Sequence, residues 1–237
     1  VLVNTEPLHY ECWKAALADE GIELKVKVYN DYVVPNTVVE DGEVDANYFQ
    51  HLDYLEDFNE KNGTHLVSAA GIHYEPMGIF PGKDKSATLD KIADGAKIAI
   101  PNDTTNGARA LQLLVAEGLI ELDPEAGLEA TPKDVTKNEH KIEFVEMEAA
   151  ALPTVLADVD FAVINGNYAL GAGLTEADGL AFEAADSEAA KTYTNALVVK
   201  EGNEDNPAIK KLVEALTSDE CRAFLEEKYK GMVIPVF

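Results

Sequence analysis

Apolar positions in the first third of the chain alternate between strand and helix spacing. Ile22, Leu24, Val26 and Val28 recur at every second position, which is typical of a strand with one buried face. The apolar VLV at the start is separated from this strand by a helical stretch that ends at Gly21, so the pattern predicts a β-α-β opening. Downstream, the pattern predicts a short helix in VPNTVVEDG, a short strand at EVDA, and a helix from about Gln50 to Lys61 closed by Gly63.

The middle of the chain repeats this alternation, and the end does not. Strands are predicted at KIAIP, KIEFVEM and VDFAVING, and an amphipathic helix at TTNGARALQLLVAEG. Two consecutive helices are predicted at NPAIKKLVEALTS and DECRAFLEEKYKG. Strands that alternate with helices indicate an α/β protein whose sheets are mixed, mostly parallel and flanked by helices on both faces.

Two segments of the chain end predicted strands in the same way. VDANYF at 44–49 and VDFAVINGNYAL at 159–170 both run from Val-Asp through a strand into Asn and Tyr. Ligands of open α/β sheets bind beyond the carboxyl ends of the strands, so we expect two sheets to face each other across a cleft. No flexible linker is evident, and we therefore expect the two lobes to be joined by crossing strands.

Composition and charge exclude several classes of function. The 237 residues carry a formal charge of −25, which would repel nucleic acid and an anionic membrane surface. No apolar run approaches the roughly 18 residues that a membrane span needs. Cys12 and Cys221 lack the spacing of a metal or redox motif, and two buried free thiols are favoured over a disulfide. No signal peptide is visible, so any targeting segment is expected to lie outside this sequence or to have been removed.

Arg109 is the most conspicuous candidate for ligand binding, because Lys is the usual cation of this chain and Arg222 is the only other Arg. It lies near the predicted start of the helix that Thr104, Thr105 or Asn106 would cap, where a guanidinium is suited to holding a carboxylate. A structural ion pair is an equally good interpretation, and Arg222 is expected at the surface. Three Asn residues are further candidates, because a buried amide side chain must be hydrogen-bonded. Asn106 lies at a predicted helix start, Asn165 at a predicted strand end, and Asn195 inside the apolar TYTNALVV.

Aromatic side chains are concentrated in VDANYFQHLDYL. Tyr54 could simply pack in the core, whereas Tyr48, Phe49 and His51 are predicted at a strand-to-helix turn that lines a cleft. His73, Tyr74 and Met77 are further candidates for this group of rings, which would suit an apolar, polarizable ligand group. A metal site at His51, His73 and Glu75 is a weaker alternative, and the sequence lacks GxSxG, HExxH, P-loop and GxGxxG motifs.

Four segments together resemble a known family: DYVVPNTVVEDGEVDANYFQHLDYL, IPNDTTNGARALQLL, AVINGNYALGAGL and NPAIKKLVEAL. They are similar to the methionine-binding lipoproteins of the NlpA type, which deliver substrate to methionine ABC importers. The resemblance covers nearly the whole chain in the same order. It implies a type II periplasmic-binding fold of two lobes that enclose the amino acid in the cleft between them.

The resemblance also implies a role for each candidate residue. The pocket for the ligand side chain falls on Tyr32, Phe49, His51 and Tyr54, and the carboxylate clamp falls on Arg109. The polar contacts to the amino-acid head fall on Asn106, Asn165 and Asn195. The residues alone had pointed to Arg109 and the three Asn, but not to Tyr32.

The resulting expectation is a non-enzymatic, extracytoplasmic protein that captures L-methionine for the permease subunits of an ABC importer. We expect a monomer without cofactor or metal, attached to the bacterial membrane only through an N-terminal lipid outside this sequence. Alternatives are a binder of D-methionine, of a methionine-containing dipeptide or of a small oxyanion at the 104–106 helix start, and an enzyme on the same fold. Lobe one is expected at 1–81 with 200–237 and lobe two at 82–199, with crossings near 80–84 and 198–201.

Overall fold

The computed structural model of the protein describes residues 2–3, 17, 21–184 and 192–237. It divides into two compact units, unit 1 (Val1–Glu75 with Ala185–Phe237) and unit 2 (Pro76–Ala184). These crossings lie earlier in the chain than the expected ones near 80–84 and 198–201. Strand pairing explains both differences. The expected boundary assigns Thr194–Lys200 to lobe two, but this strand pairs with two strands of unit 1. Likewise, Gly78–Pro81 pairs with a strand of unit 2.

Unit 1 is built on a four-stranded sheet. Numbered in chain order, the strands of this unit are β1 (Leu2–Val3), β2 (Val26–Lys27), β3 (Asn47–His51), β4 (Leu66–Tyr74), β12 (Thr194–Lys200) and β13 (Ile234–Pro235). Its helices are α1 (Val34–Glu40), α2 (Leu52–Asn62), α5 (Pro207–Leu216) and α6 (Asp219–Tyr229). The sheet has the order β13-β4-β12-β3, while β1 and β2 form a separate parallel pair.

The helices of unit 1 begin and end close to their predicted limits because the capping residues are local. Gly63 ends α2 in the left-handed conformation with φ 64°, and Ser218 accepts the Cys221 backbone N–H at the start of α6. The predicted helix between β1 and β2 lies almost wholly outside the described residues. The predicted strand at EVDA is wrong: Glu43 and Val44 both donate backbone hydrogen bonds to the Val38 carbonyl, which folds this segment back on α1.

Unit 2 contains a five-stranded sheet and a small hairpin. Its strands are β5 (Gly78–Pro81), β6 (Lys97–Pro101), β7 (Glu121–Leu122), β8 (Val135–Lys137), β9 (Glu143–Met147), β10 (Phe161–Ile164) and β11 (Ala181–Phe182). Its α-helices are α3 (Thr104–Ala116) and α4 (Gly166–Gly171), and 3-10 turns occupy Leu89–Lys91, Gly127–Glu129, Pro132–Asp134, Ala149–Val155 and Glu176–Asp178. The sheet order is β11-β5-β10-β6-β9, and β7 pairs with β8. Ile98, Ile100, Leu111 and Leu114 are fully buried where α3 covers this sheet.

The predicted α/β class is confirmed, with mixed sheets flanked by helices. Among the described strands, parallel pairing occurs in the β1-β2 pair and in β10-β6-β9 of unit 2, where a helix or a long loop returns the chain. The three pairings of the β13-β4-β12-β3 sheet are antiparallel. Alternating strands and helices do not reveal this, because β12 and β13 join the sheet from the distant end of the chain.

Candidate functional site

Four aromatic rings of unit 1 lie close together. Tyr32 lies 5.6 Å from Phe49 and 5.8 Å from Tyr54, measured between ring centroids. Tyr54 in turn lies 6.2 Å from both Phe49 and His51. Tyr32 and Phe49 are half-buried, whereas His51 and Tyr54 are buried. We call these four residues the ring cluster; its mostly edge-to-face geometry presents apolar, polarizable surface.

Local hydrogen bonds hold the ring cluster in place. Asp31 accepts the backbone N–H groups of Val33 and Val34 at 2.8 and 2.7 Å, which sets the turn that carries Tyr32. The Tyr54 hydroxyl donates to the Tyr32 carbonyl at 3.1 Å. His51 caps α2 by accepting the Tyr54 backbone N–H at Nδ1, so a neutral His51 carries its proton on Nε2.

Three buried amide side chains tie α1 to β3. Asn36 donates to Gln50 at 2.8 Å, and Asn47 donates to Asn36 at 2.9 Å and to the Pro35 carbonyl at 3.1 Å. Gln50 also donates to Asn47 at 2.9 Å. A satisfied polar network inside a core fixes geometry more strictly than apolar packing does. It therefore fixes the spacing between the Tyr32 turn and the strand that carries Phe49 and His51.

Asn195 lies beside the ring cluster in the same sheet. It is buried on β12, and its Cα partner on β3 is His51. Tyr193, which no sequence pattern singled out, is 1% exposed and has its ring 5.0 Å from that of His51. A signal was present, since Tyr193 stands in the same TYTNALVV stretch that drew attention to Asn195.

The polar candidates of unit 2 form a hydrogen-bonded chain. Asn165 follows β10 and donates from Nδ2 to Asn106 Oδ1 at 2.7 Å, and Asn106 donates from Nδ2 to Asp103 Oδ1 at 2.8 Å. Asn165 Oδ1 is buried and has no hydrogen-bond partner among the described residues, although Asn165 is only 5% exposed. The cap of α3 is Asp103, not Thr104, Thr105 or Asn106 as predicted. An Asp at this position accepts the Asn106 backbone N–H without needing a longer side chain.

Arg109 forms a buried two-pronged ion pair within unit 2. Its Nε and Nη2 donate to the two carboxylate oxygens of Glu183 at 2.8 and 2.6 Å, and the side chains are 3% and 7% exposed. Glu183 also accepts the Met77 backbone N–H at 2.8 Å. The ion-pair interpretation of Arg109 is therefore correct for this structure. Glu183 was missed, although a single Glu in the apolar stretch GLAFEAA was a usable signal.

Three other candidates, His73, Tyr74 and Met77, have surroundings of their own. His73 is hydrogen-bonded to the Tyr48 hydroxyl through Nδ1 and to Glu75 through Nε2 at 2.7 Å, and burial raises the pKa of Tyr48 well above its ordinary value. Tyr74 is fully buried, and Met77 belongs to the core of unit 2. Among the described residues, no three His, Cys, Asp or Glu side chains are grouped so as to hold a metal ion.

The remaining residues singled out from the sequence are the two cysteines and Arg222. Cys221 is buried in α6, as predicted, whereas Cys12 lies outside the described residues, so their redox state stays a prediction. Arg222 is half-buried, with its guanidinium carbon 4.6 Å from the centre of the Phe237 ring. In the described part of the chain, no helix has the length and apolar character of a membrane span.

Comparison with known proteins places this fold in a family. The model of the NlpA lipoprotein family matches residues 2–237, and the chain belongs to that family. A crystal structure of a Ruminococcus gnavus lipoprotein has 53% sequence identity and a TM-score of 0.96, covering 100% of this chain and 98% of the other.

Several relatives carry names that describe a ligand. The structure of a nutrient-binding protein from Burkholderia cenocepacia bound to methionine is 40% identical with a TM-score of 0.91, covering 100% of this chain and 98% of the other. The D-methionine-binding lipoprotein MetQ of Salmonella typhimurium is 39% identical over 221 residues, which is 92% of this chain and 79% of that protein.

Proposed function

We propose that this protein is an extracytoplasmic substrate-binding protein that captures L-methionine and delivers it to the permease subunits of an ABC importer. The observation that carries the proposal is the ring cluster, in which Tyr54 lies 5.8–6.2 Å from the rings of Tyr32, Phe49 and His51. A thioether is apolar and polarizable, and each sulfur–aromatic contact contributes roughly 0.3–1.5 kcal/mol. The methionine bound to the Burkholderia cenocepacia relative supports this ligand.

We assign the head group of the amino acid to four polar residues. Arg109 contacts the carboxylate, and Asn106, Asn165 and Asn195 contact the head group as amide donors and acceptors. A guanidinium has five N–H donors, whereas the two-pronged pair with Glu183 uses two of them. The pairing of Arg109 with Glu183 is therefore compatible with this role. The buried acceptor Asn165 Oδ1 matches an ammonium, which has only donors.

The site is proposed to bind without catalysing a reaction or holding a cofactor. Family membership supports a binding protein. We propose attachment to the membrane through an N-terminal lipid, as the lipoprotein names of the relatives suggest, and a monomeric state in solution.

Thermal unfolding tests the ligand assignment. Protein freed of ligand by unfolding and refolding should melt higher with L-methionine, because a ligand that binds only the folded state stabilises it. At a hundredfold excess over Kd the expected shift is roughly 5–10 °C. D-Methionine and a methionine-containing dipeptide are compared at the same concentration, with leucine and sulfate as negative controls. No shift in melting temperature with L-methionine would contradict the proposal. An equal shift with D-methionine would contradict the assignment of the L enantiomer as the preferred ligand.

A matched pair of Phe variants tests the ring cluster. Phe49→Ala should weaken methionine binding at least tenfold, since it removes one wall of the thioether pocket. Phe224→Ala removes a ring from α6 and should leave the affinity unchanged. Titration calorimetry measures both, and equal affinities in the two variants would place the ligand elsewhere.

The oxyanion alternative is disfavoured by the cap of α3. Asp103 already accepts the Asn106 backbone N–H at 3.0 Å with a carboxylate oxygen. A second anion at this helix start would meet a negative charge. The sulfate arm of the thermal experiment measures this alternative directly.

A further inference from the structure

The hydrogen-bonded chain from Asp103 through Asn106 to Asn165 has a direction. Asp103 Oδ1 accepts the side-chain nitrogen of Asn106 at 2.8 Å, its backbone N–H at 3.0 Å and the Thr105 hydroxyl at 3.3 Å. Asn106 Oδ1 then accepts the side-chain nitrogen of Asn165 at 2.7 Å. Each amide thus donates towards Asp103 and turns its oxygen the other way.

The chemistry of the carboxylate explains this direction. An ionised carboxylate only accepts hydrogen bonds, whereas an amide side chain can be turned either way. With its nitrogen on Asp103, Asn106 presents its oxygen to Asn165, and Asn165 must meet that oxygen with its nitrogen. The remaining atom, Asn165 Oδ1, is buried and without a hydrogen-bond partner among the described residues.

We propose that Asp103 is a positioning residue that orients Asn106 and, through it, Asn165, so that Asn165 Oδ1 accepts the α-ammonium of the ligand. The inference rests on the proposed function and adds a basis for selectivity. An ammonium only donates, so an amide turned the other way would present donors to donors. Asp103 therefore makes the protein select α-amino acids over analogues that lack the amino group.

A helix cap alone would not require Asp at this position. Asn caps helices about as well as Asp, but its amide can donate as well as accept. Burial raises the pKa of Asp103, so the folded state binds a proton at this carboxyl more tightly than the unfolded state does. The contribution of the carboxyl to stability is greatest at acid pH and is lost as pH rises through the raised pKa. Asp103→Asn, which resembles the neutral form, is therefore expected to cost no stability at neutral pH.

The first test compares two ligands by titration calorimetry: L-methionine and 4-(methylthio)butanoate, which lacks the ammonium. The wild type should prefer L-methionine by roughly tenfold to a hundredfold, the range for a hydrogen bond to a charged group. In Asp103→Asn that preference should fall at least tenfold through weaker L-methionine binding, with binding of the analogue unchanged. Asp134→Asn removes the same charge from a carboxylate of unit 2 that accepts the Thr131 hydroxyl, and it should behave as wild type. Equal weakening of both ligands, or no change, would overturn the proposal.

A compensating double variant sharpens the test. In Asp103→Asn combined with Asn165→Asp, an amide at position 103 donates to the Asn106 oxygen, and the Asn106 nitrogen donates to a carboxylate at position 165. The chain is then reversed, yet it still ends in an acceptor. The double variant should regain the preference for L-methionine that Asp103→Asn loses, and a double variant no better than Asp103→Asn would contradict a directional chain.

Nuclear magnetic resonance of the ligand-free protein separates this inference from the proposed function. In Asp103→Asn, the side-chain amide resonances of both Asn106 and Asn165 should move, whereas in Asp134→Asn neither should. Unmoved Asn165 resonances would overturn the chain. If the wild type bound no methionine while these resonances moved, the proposed function would fail and the chain of orientations would stand.

Discussion

Arg109 links stability and ligand binding in one side chain. Its two-pronged pair with Glu183 is almost fully buried, so removing one member leaves a charge without compensation inside unit 2. Such a loss costs about 3–5 kcal/mol, whereas replacing both members with apolar residues is often neutral. The residue therefore needs a test in which fold and ligand affinity are measured separately.

We expect Arg109→Met to destabilise the protein by about 3–5 kcal/mol in urea unfolding. Arg109→Met with Glu183→Leu should recover most of that stability but still fail to bind methionine by calorimetry. Arg109→Lys keeps the charge and should weaken binding by one to two decades, since an ammonium lacks the fork and roughly 1.5–3 kcal/mol is lost. Arg222→Met on α6 is the matched control. Near-normal affinity in the double variant would show that Arg109 serves the fold alone.

Glu40 carries a pH dependence of the opposite sign to that of Asp103. The backbone N–H of His65 at 2.9 Å, helped by Lys200 at 3.2 Å, holds the pKa of Glu40 below its ordinary value. A depressed pKa contributes stability that is present above the unfolded pKa and is lost as pH falls through the folded one. Glu40→Gln should thus be less stable than wild type at neutral pH, and the two should converge in acid. Urea unfolding from neutral to acid pH measures the free energy of unfolding of both proteins, with Glu43→Gln at an exposed position as the control. A stability difference between wild type and Glu40→Gln that grew in acid would contradict the lowered pKa of Glu40.

Strand β3 depends on an irregularity that no periodic pattern predicts. Its register against β12 shifts between Gln50 and Tyr48, so Phe49 is an extra residue on β3. Asn47 and Gln50 would point to opposite faces of a regular strand, yet both contact Asn36. The bulge thus places the amide network and the ring cluster on one short element.

Gly82, directly after β5, lies where a Cβ would be 2.1 Å from the Val159 carbonyl oxygen and 2.8 Å from that of Asp160. Both oxygens belong to backbone, which holds this segment through hydrogen bonds of 2.8 and 2.9 Å. Gly82→Ala should therefore lower the free energy of unfolding by roughly 1–3 kcal/mol or more. Gly171→Ala, with open space around its Cβ in α4, should be neutral or stabilising by up to about 1 kcal/mol. Equal stabilities in urea would contradict the close approach at Gly82.

At the scale of the whole molecule, the formal charge of −25 makes self-repulsion a general destabilising term. Salt shortens the Debye length from about 30 Å at 0.01 M to about 3 Å at 1 M, which screens this repulsion. The melting temperature of the ligand-free protein should rise with sodium chloride over this range, and the rise should shrink as the pH approaches the isoelectric point near 4.4. Calorimetric melting at neutral and acid pH checks both statements. A melting temperature that fell with salt at neutral pH would show that local ion pairs outweigh the net charge.

The sequence by itself determined the α/β class and most helix limits, and it pointed to three rings of the ring cluster. These depend on local physics: apolar periodicity for α3, an αL glycine after α2, and the clustering of Tyr54, His51 and Phe49 within a few residues. Local signals act over one or two turns, so they can be read without knowing the rest of the chain.

Only the tertiary structure decided the antiparallel sheet of unit 1, the partner of Arg109 and the direction of the Asp103–Asn106–Asn165 chain. Glu183 is 74 residues from Arg109 and Asn165 is 59 residues from Asn106. Hydrogen bonds over such separations depend on which strands become neighbours, and β12 enters its sheet from the far end of the chain. The sequence thus names the groups that donate and accept, while long-range packing decides which of them meet and which way each amide is turned.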